Sequence, residues 1–571
     1  MRALTLAVAL FACAAPAPRL AAPTRPLHVR LVGINDFHGA ISAGRQVAGH
    51  PVGSAGVLVA WLRAAERGLE GHTIFVSAGD LVGASPPASA LLEDEPAVSL
   101  LNLLANDRCH PAGSGPDATI GGETRFEGWL DPGCNVVATV GNHEFDEGRT
   151  ELLRLLLGGN HPRGPFLSDP WSGAHYPTLA ANVVDARTGE TLLPPYVVKR
   201  IEGVPVGFIG LVLRATPTVV TPAGVAGLDF LDEAETANRY VERLAAQGVR
   251  VIVVILHQGG SQPWYSGPTA AAAAPVEGEI VDLVRRLDDR VDVVMSAHTH
   301  QFTNALLPGA GPKPILVTQA YSNGTAFAQV DLQIDPRSQA VLSKSARIQT
   351  TWAHRGPGRN PDPAASRLEA AAEERVTPLV TRVVATSAAP LRAVPGRAGE
   401  SPLGDLVADA QRAAVPGATA AFLNPGGVRA DLPAGPIRWG QLFAVQPFGN
   451  ALVAMTLTGE ELKELLEQQW LGQDPPRILQ VSGVSYAFSA SAPAGAKVRD
   501  VRIGDAPLDP RNSYRVVVNE FLASGGDGFT LLTQGRERTV GPNDLDALAA
   551  YLGALPQPVE APQGGRIQAA P

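Results

Sequence analysis

The stretch NVVATVGNHEFD, residues 135–146, runs from a β-branched strand pattern straight into an amide, an imidazole and carboxylates. Val136 to Val140 carry the strand, so Asn142, His143 and Asp146 are expected together at its carboxyl end. Four more runs share the pattern: HVRLVGI (28–34), HTIFVSA (72–78), VRVIVVIL (249–256) and VDVVMSA (291–297). Among them AGVLVAWLRAAERG (55–68), EAETANRYVERLAAQG (233–248) and EGEIVDLVRRLDD (277–289) space apolar residues by three and four, as surface helices do. The order is that of an α/β fold with its sheet buried between helices.

Each strand runs at once into a polar cluster: NDFHG (35–39), GD (79–80), GNHEFD (141–146), HQGG (257–260) and HTH (298–300). Ligand sites of open α/β sheets lie at the carboxyl ends of the strands, so the five clusters are expected to converge on one place. A lone Asp after a strand is ordinarily a helix cap, and a lone His a satisfied structural residue. Here His38, His143, His257, His298 and His300, out of twelve histidines, stand at such ends in one half of the chain.

Asp36, His38, Asp80, Asn142, His257, His298 and His300 form a mixed oxygen and imidazole set without thiolate. That is enough for two adjacent divalent ions if one carboxylate bridges, and it suits Zn, Mn, Fe or Co. Two such ions clamp a phosphoryl group and acidify water, which points to phosphoester hydrolysis. His143 is free to face substrate, and Asp146, three residues on and expected in the first helical turn, can hold its ring. A carboxylate partner favours the imidazolium, suited to stabilising phosphoryl charge or protonating the leaving oxygen. Glu144 and Glu147 have no such placement and read as solvated, or as caps of the new helix.

The 571 residues exceed what one core usually organises, and 45% apolar with 18% charged residues is ordinary globular composition. A formal net charge of −9 argues against a nucleic-acid duplex as the main partner, because such binders carry a basic stripe. The opening MRALTLAVALFACAAPAPRLAAP reads as a secretory signal over residues 1–22, which places the protein in the periplasm or outside the cell. Leu10-Phe11-Ala12-Cys13 also resembles a lipoprotein cleavage box, so a lipid anchor at Cys13 stays open as the one membrane contact; a cut after Ala14 would discard that cysteine. Cys109 and Cys134, in one Gly/Pro-rich excursion of an exported chain, are then expected to pair.

The five polar clusters together resemble the metallophosphoesterase domain of the 5′-nucleotidase family, and the likeness runs through most of the chain. It implies a calcineurin-like β-sandwich flanked by helices over 28–352, followed by a linker and linker helix (353–380), an α/β substrate-binding domain (381–555) and a flexible tail (556–571). By the resemblance, residues matching Asp36, His38, Asp80 and His300 hold one metal. Those matching Asp80, Asn142, His257 and His298 hold the second, with Asp80 bridging. His143 and Asp146 match the family's catalytic dyad. Some relatives carry Gln or Asn where this chain has His300, which bears on metal preference at the first site.

The boundary is marked by HRGPGRNPDP (354–363) and the helical AASRLEAAAEERVTPLVTRV that follows. Beyond it, LNPGGVRADLPAGPIRWGQLFAVQPFGN (423–450) and NEFLASGGDGF (519–529) resemble the family's C-terminal domain. The resemblance implies that Phe448 and Phe521 sandwich a nucleobase, that Asp527 bonds the ribose, and that Arg397 and Arg429 hold phosphate. Asn424, Gly426 and Gly427 belong to the same substrate loop, where Pro425 replaces a common Gly. Aromatic faces bind any base, and Arg grips phosphate oxygens in pairs. The expected activity is removal of the 5′-phosphate from nucleotides by an exported enzyme. UDP-sugar hydrolysis and 2′,3′-cyclic nucleotide phosphodiester cleavage are the alternatives on the same site, and a non-catalytic nucleotide-binding surface protein is the alternative from another class.

Overall fold

The computed structural model of the chain describes residues 25–112, 123–473 and 475–570. The leader expected over 1–22, and Cys13 within it, lie outside the described residues. The five strands form as Leu27–Ile34, Thr73–Ala78, Val136–Thr139, Val251–His257 and Val291–Ser296. They do not share one sheet. Leu27–Ile34, Thr73–Ala78 and Val136–Thr139 run parallel in a six-stranded sheet that Ala326–Ile334 and Val341–Thr350 extend antiparallel. Val204–Val212, Val251–His257, Val291–Ser296 and Pro314–Ala320 form the parallel centre of a second six-stranded sheet.

The period of two along each strand explains the sandwich. Val29, Leu31, Ile74 and Val76 point inward and pack with Val206, Phe208, Val253 and Ile255 of the other sheet. The alternate residues face outward, where Val32 and Phe75 meet Leu58, Val59 and Leu62 of the helix Ala55–Glu66. Ile252, Val254 and Leu256 likewise meet Ala237, Val241 and Leu244 of Glu233–Ala246. Strands covered on both faces read as continuous apolar runs. Each such side chain taken wholly from water contributes about 1.5–3 kcal/mol, so a charged residue at Val253, fully buried, would undo the inner core. A disulfide joins Cys109 to Cys134 just ahead of Val136–Thr139, as the sequence led us to expect.

The helix Pro363–Val380 starts where Asp362 Oδ1 accepts the Ala364 and Ala365 N–H groups, with Pro at its first position. Its Ala365, Ala372 and Val376 join the core beneath the first sheet, so the helix is packed onto the N-terminal domain. Beyond it, a five-stranded sheet is ordered Gln480–Ser482, Ala420–Leu423, Ser513–Asn519, Ala451–Thr458, Arg536–Asn543. A four-stranded sheet stands beside it.

The expectation of a flexible tail over 556–571 is corrected for its described residues, 556–570. The Arg566 guanidinium bonds both oxygens of Asp409 at 2.9 and 2.8 Å and the Val481 carbonyl at 2.7 Å. Ile567–Ala570 then adds a parallel strand beside Val484–Ser489. A Gly/Pro-rich stretch reads as loose when its partners are distant in sequence, and these charge-assisted bonds fix it.

Candidate active site

The turns after Leu27–Ile34, Thr73–Ala78 and Val291–Ser296 place their polar residues by unusual backbone. Asp36, His38, Asp80, His298 and His300 all have positive φ, between 47° and 73°. Left-handed backbone at a residue with a Cβ costs about 1–3 kcal/mol and persists where surrounding structure enforces it. Gly141 serves the cluster differently: a Cβ there would overlap Asp80 Oδ1.

The side chains converge between the carboxyl ends of the two sheets. His300 Nε2 lies 3.5 Å from Asp36 Oδ1 and 3.1 Å from His38 Nε2. Asp80 Oδ2 lies 3.1 Å from His257 Nε2 and 3.7 Å from His38 Nε2, between the two halves of the cluster. Asn142 Oδ1 is 3.0 Å from His298 Nδ1. Asp36, His38 and His300 form one group able to hold a cation, and Asp80, His257 and His298 another. His143 can also form a group with His38 and Asp80.

Outer contacts set the rings for this use. His38 Nδ1 bonds the Gly83 carbonyl at 2.8 Å and His257 Nδ1 the Ala78 carbonyl at 2.9 Å, which turns both Nε2 atoms inward. His257 Nε2 is buried and faces Asp80 Oδ2 at 3.1 Å without the geometry of a hydrogen bond, so the donor set fits a cation between them. Electrostatics agree. Burial and then His257 press His298 down to about 3, and burial with Arg429 presses His300 down to about 4, leaving both neutral as ligands must be. Burial works against charge on Asp80, yet His257 and His143 hold it well below the usual carboxylate range. His257 goes the other way: against burial, Asp80 and Asp36 lift it to about 9, which marks the cluster as a place for positive charge.

His143 and Asp146 meet as expected, with Nδ1 2.7 Å from Oδ2. The turn is the 3-10 segment His143–Phe145 rather than the first turn of the following helix, Gly148–Leu157. Burial lowers the His143 pKa, but Asp146 and Asp80 outweigh it and the net shift is upward. Glu147 is exposed at the N-cap position and its side chain caps nothing. Glu144 is the correction here, being neither solvated nor a cap of the helix that follows. It is buried, and its carboxylate accepts the N–H groups of Asp80 at 3.0 Å, Leu81 at 2.8 Å and Gly141 at 2.5 Å.

A cleft opens from this cluster toward the C-terminal domain. Asn142, His143, Asp146 and His298 line one wall; Asn424, Gly426, Gly427, Arg429, Phe448, Phe521 and Asp527 line the other. Phe448 lies nearly parallel to the His143 ring, with centroids 5.8 Å apart and planes 12° apart, and the Arg429 guanidinium stands 5.8 Å from the Phe448 centroid. Asp527, at φ 56°, accepts from Asn424 at 3.0 Å and is paired with Arg477. Asn519 in turn donates to Asn424 at 3.1 Å. Arg397 alone of the sequence-derived residues is not brought in: it is exposed, on the loop ahead of the helix Pro402–Ala413, and does not line the cleft. Arg477 was not legible, because PPRILQ carries no motif, whereas Asn519 opens a stretch already singled out.

Comparison with known proteins agrees with this geometry. The calcineurin-like phosphoesterase family matches residues 29–302, and the 5′-nucleotidase C-terminal domain family matches 383–534. The cell wall protein Lmo0130 of Listeria monocytogenes is 34% identical over 93% of this chain and 67% of its own. The chain belongs to the 5′-nucleotidase family. A 5′-nucleotidase precursor from Thermus thermophilus shares its structure with a TM-score of 0.73 and 29% identity, over 95% of this chain and 99% of that one. The endonuclease YhcR of Bacillus subtilis is 32% identical over 97% of this chain, which spans only 42% of that relative. The calcineurin-like phosphoesterase match spans the strands that carry the acid and imidazole cluster, and the groups in that cluster fit divalent metal binding.

Proposed function

We propose that the protein removes the 5′-phosphate from nucleoside monophosphates, using two divalent cations, and that it acts after export. The observation that carries this reading is the cleft in which the acid and imidazole cluster, the His143–Asp146 pair and the Phe448, Phe521 and Asp527 side chains face one another. Asp36, His38, Asp80 and His300 would hold one cation, and Asp80, Asn142, His257 and His298 the other. Such cations supply Lewis-acid activation of the phosphoester and of water.

The chain's own groups do the rest. His143, whose charged form Asp146 favours, places an N–H beside the phosphoryl group and can deliver a proton to the leaving 5′-oxygen. Arg429 grips phosphate oxygens, Phe521 and Phe448 stack on the base, and Asp527 accepts from ribose hydroxyls. The leader pattern and the Cys109–Cys134 pair support export to the periplasm or beyond, with a lipid anchor at Cys13 as its variant. Among the described residues no helix is long and apolar enough to cross a membrane.

The test is phosphate release from AMP, UDP-glucose and 2′,3′-cyclic AMP with added Mn or Zn. AMP turned over with the highest kcat/KM upholds the proposal. Preference for either of the other two moves the assignment to sugar-nucleotide or cyclic phosphodiester cleavage, and binding of AMP without turnover moves it to a nucleotide-binding surface protein.

A further inference from the structure

Glu144 stands outside the ligand set and outside the dyad, yet it touches the turns that carry both. Its Oε2 accepts N–H groups from Asp80 and Gly141, and its Oε1 accepts that of Leu81. Asp80 and Leu81 follow the strand Thr73–Ala78, while Gly141 follows Val136–Thr139. These neighbouring parallel strands end their pairing at Ala78 and Thr139, so no ladder bond joins the two turns to each other beyond them; the backbone of Gly79–Leu81 is bonded instead to Asp36, His38 and Gly39. Hydrogen bonds to a buried carboxyl group are directional, and three of them on one side chain set the separation of the two turns. A further bond closes the same ring: the His143 N–H donates to Asp80 Oδ1 at 2.9 Å. With one oxygen of Asp80 so engaged, Oδ2 is left facing His257 and His38.

We propose that Glu144 is a positioning residue for the metal centre: its carboxylate, bonded to the backbone of both turns, holds Asp80 and Asn142 at the spacing at which they share one cation. The inference rests on the ligand roles proposed above for Asp80 and Asn142. Among the described residues no other side chain accepts from these three N–H groups, so neither turn has a second means of being fixed to the other through them. An amide at this position cannot substitute, because its NH2 would face backbone donors. Loss of outer contacts to metal ligands typically weakens metal binding by roughly 10–100-fold.

The experiment measures Mn2+ binding by calorimetry to chelator-treated full-length protein, with thermal unfolding of the metal-free form followed in parallel. Glu144→Gln is expected to weaken Mn2+ binding by about 10-fold or more and to raise by the same factor the Mn2+ concentration that gives half-maximal p-nitrophenyl phosphate hydrolysis. Glu144→Asp keeps the charge but is one methylene short; it should shift both readouts the same way by a smaller factor, and it serves if the Gln variant does not fold. A lowered unfolding temperature with Mn2+ affinity within about threefold of wild type, in either folded variant, overturns the proposal and leaves Glu144 a packing residue. Asp80→Ala separates the two levels. If that change leaves Mn2+ binding intact, the ligand assignment itself has failed; if it abolishes binding while the Glu144 variants bind normally, only the positioning role has.

Discussion

Asp80 has two different tasks at its two oxygens, one accepting the His143 N–H and the other facing His257 and His38. Asp80→Ala is therefore expected to lose at least one bound cation and most activity; two cations per chain by elemental analysis, with near wild-type turnover, would refute a bridging role. His143→Ala should behave otherwise, keeping both cations while turnover falls by roughly 100-fold or more, the scale of general-acid and electrostatic contributions. Metal loss in that variant would show His143 to be a ligand, as its grouping with His38 and Asp80 allows. At this scale the sequence was informative about chemistry and silent about neighbours. Seven candidate ligands could be named from strand-end position and donor type. Glu144 could not, because a carboxylate beside a histidine looks the same on paper whether it meets water or backbone N–H groups of its own turn and of a turn distant in sequence.

Elements bring Phe448 and Phe521 into the cleft in different ways. Phe521 sits on the short helix Glu520–Ala523, opened by Asn519 as N-cap, and faces the cleft away from the dyad contact. Phe448 follows the helix Trp439–Val445 and reaches across to lie along His143. The expected outcomes differ accordingly. Phe521→Ala should raise KM for AMP by about tenfold or more, with p-nitrophenyl phosphate turnover changed less than about threefold, since stacking contributes about 1–3 kcal/mol per base. Phe448→Ala should impair both substrates, because it removes the proposed base platform and the ring that lies along His143 together. Equal KM effects, with the aryl substrate untouched by either change, would show that the Phe448 contact does not bear on His143. The strands and helices were legible from period and length. Their division between two sheets was not, since an apolar run buried on both faces looks the same in either.

For the whole molecule, the Cys109–Cys134 bridge closes a 25-residue separation, which constrains the unfolded chain by about 3–4 kcal/mol in the loop-entropy picture. Protein taken from an oxidising compartment should show no alkylation at either cysteine without reductant, and reduction should lower its unfolding temperature; full alkylation of both would remove the bridge from the account. The two-domain plan was legible in the Pro/Gly-rich boundary and the change of motif beyond it. The docked C-terminal segment was not, because Arg566 finds Asp409 and Val481 only once the sheets have formed.

The left-handed backbone at the proposed ligand positions sets durability against function. His300, at φ 57° and partly exposed, is the clearest instance, since its side chain contributes little to the core that a smaller residue would forfeit. Glycine adopts that conformation without steric cost, so His300→Gly should make the metal-free protein more resistant to heat, raising its unfolding temperature by about 1–3 °C, while metal affinity and turnover fall. An unchanged or lower unfolding temperature would mean the turn is relaxed with histidine in place. Selection for ruggedness alone would erase such a residue; its presence in a strained turn is the mark of a chain kept for what it catalyses.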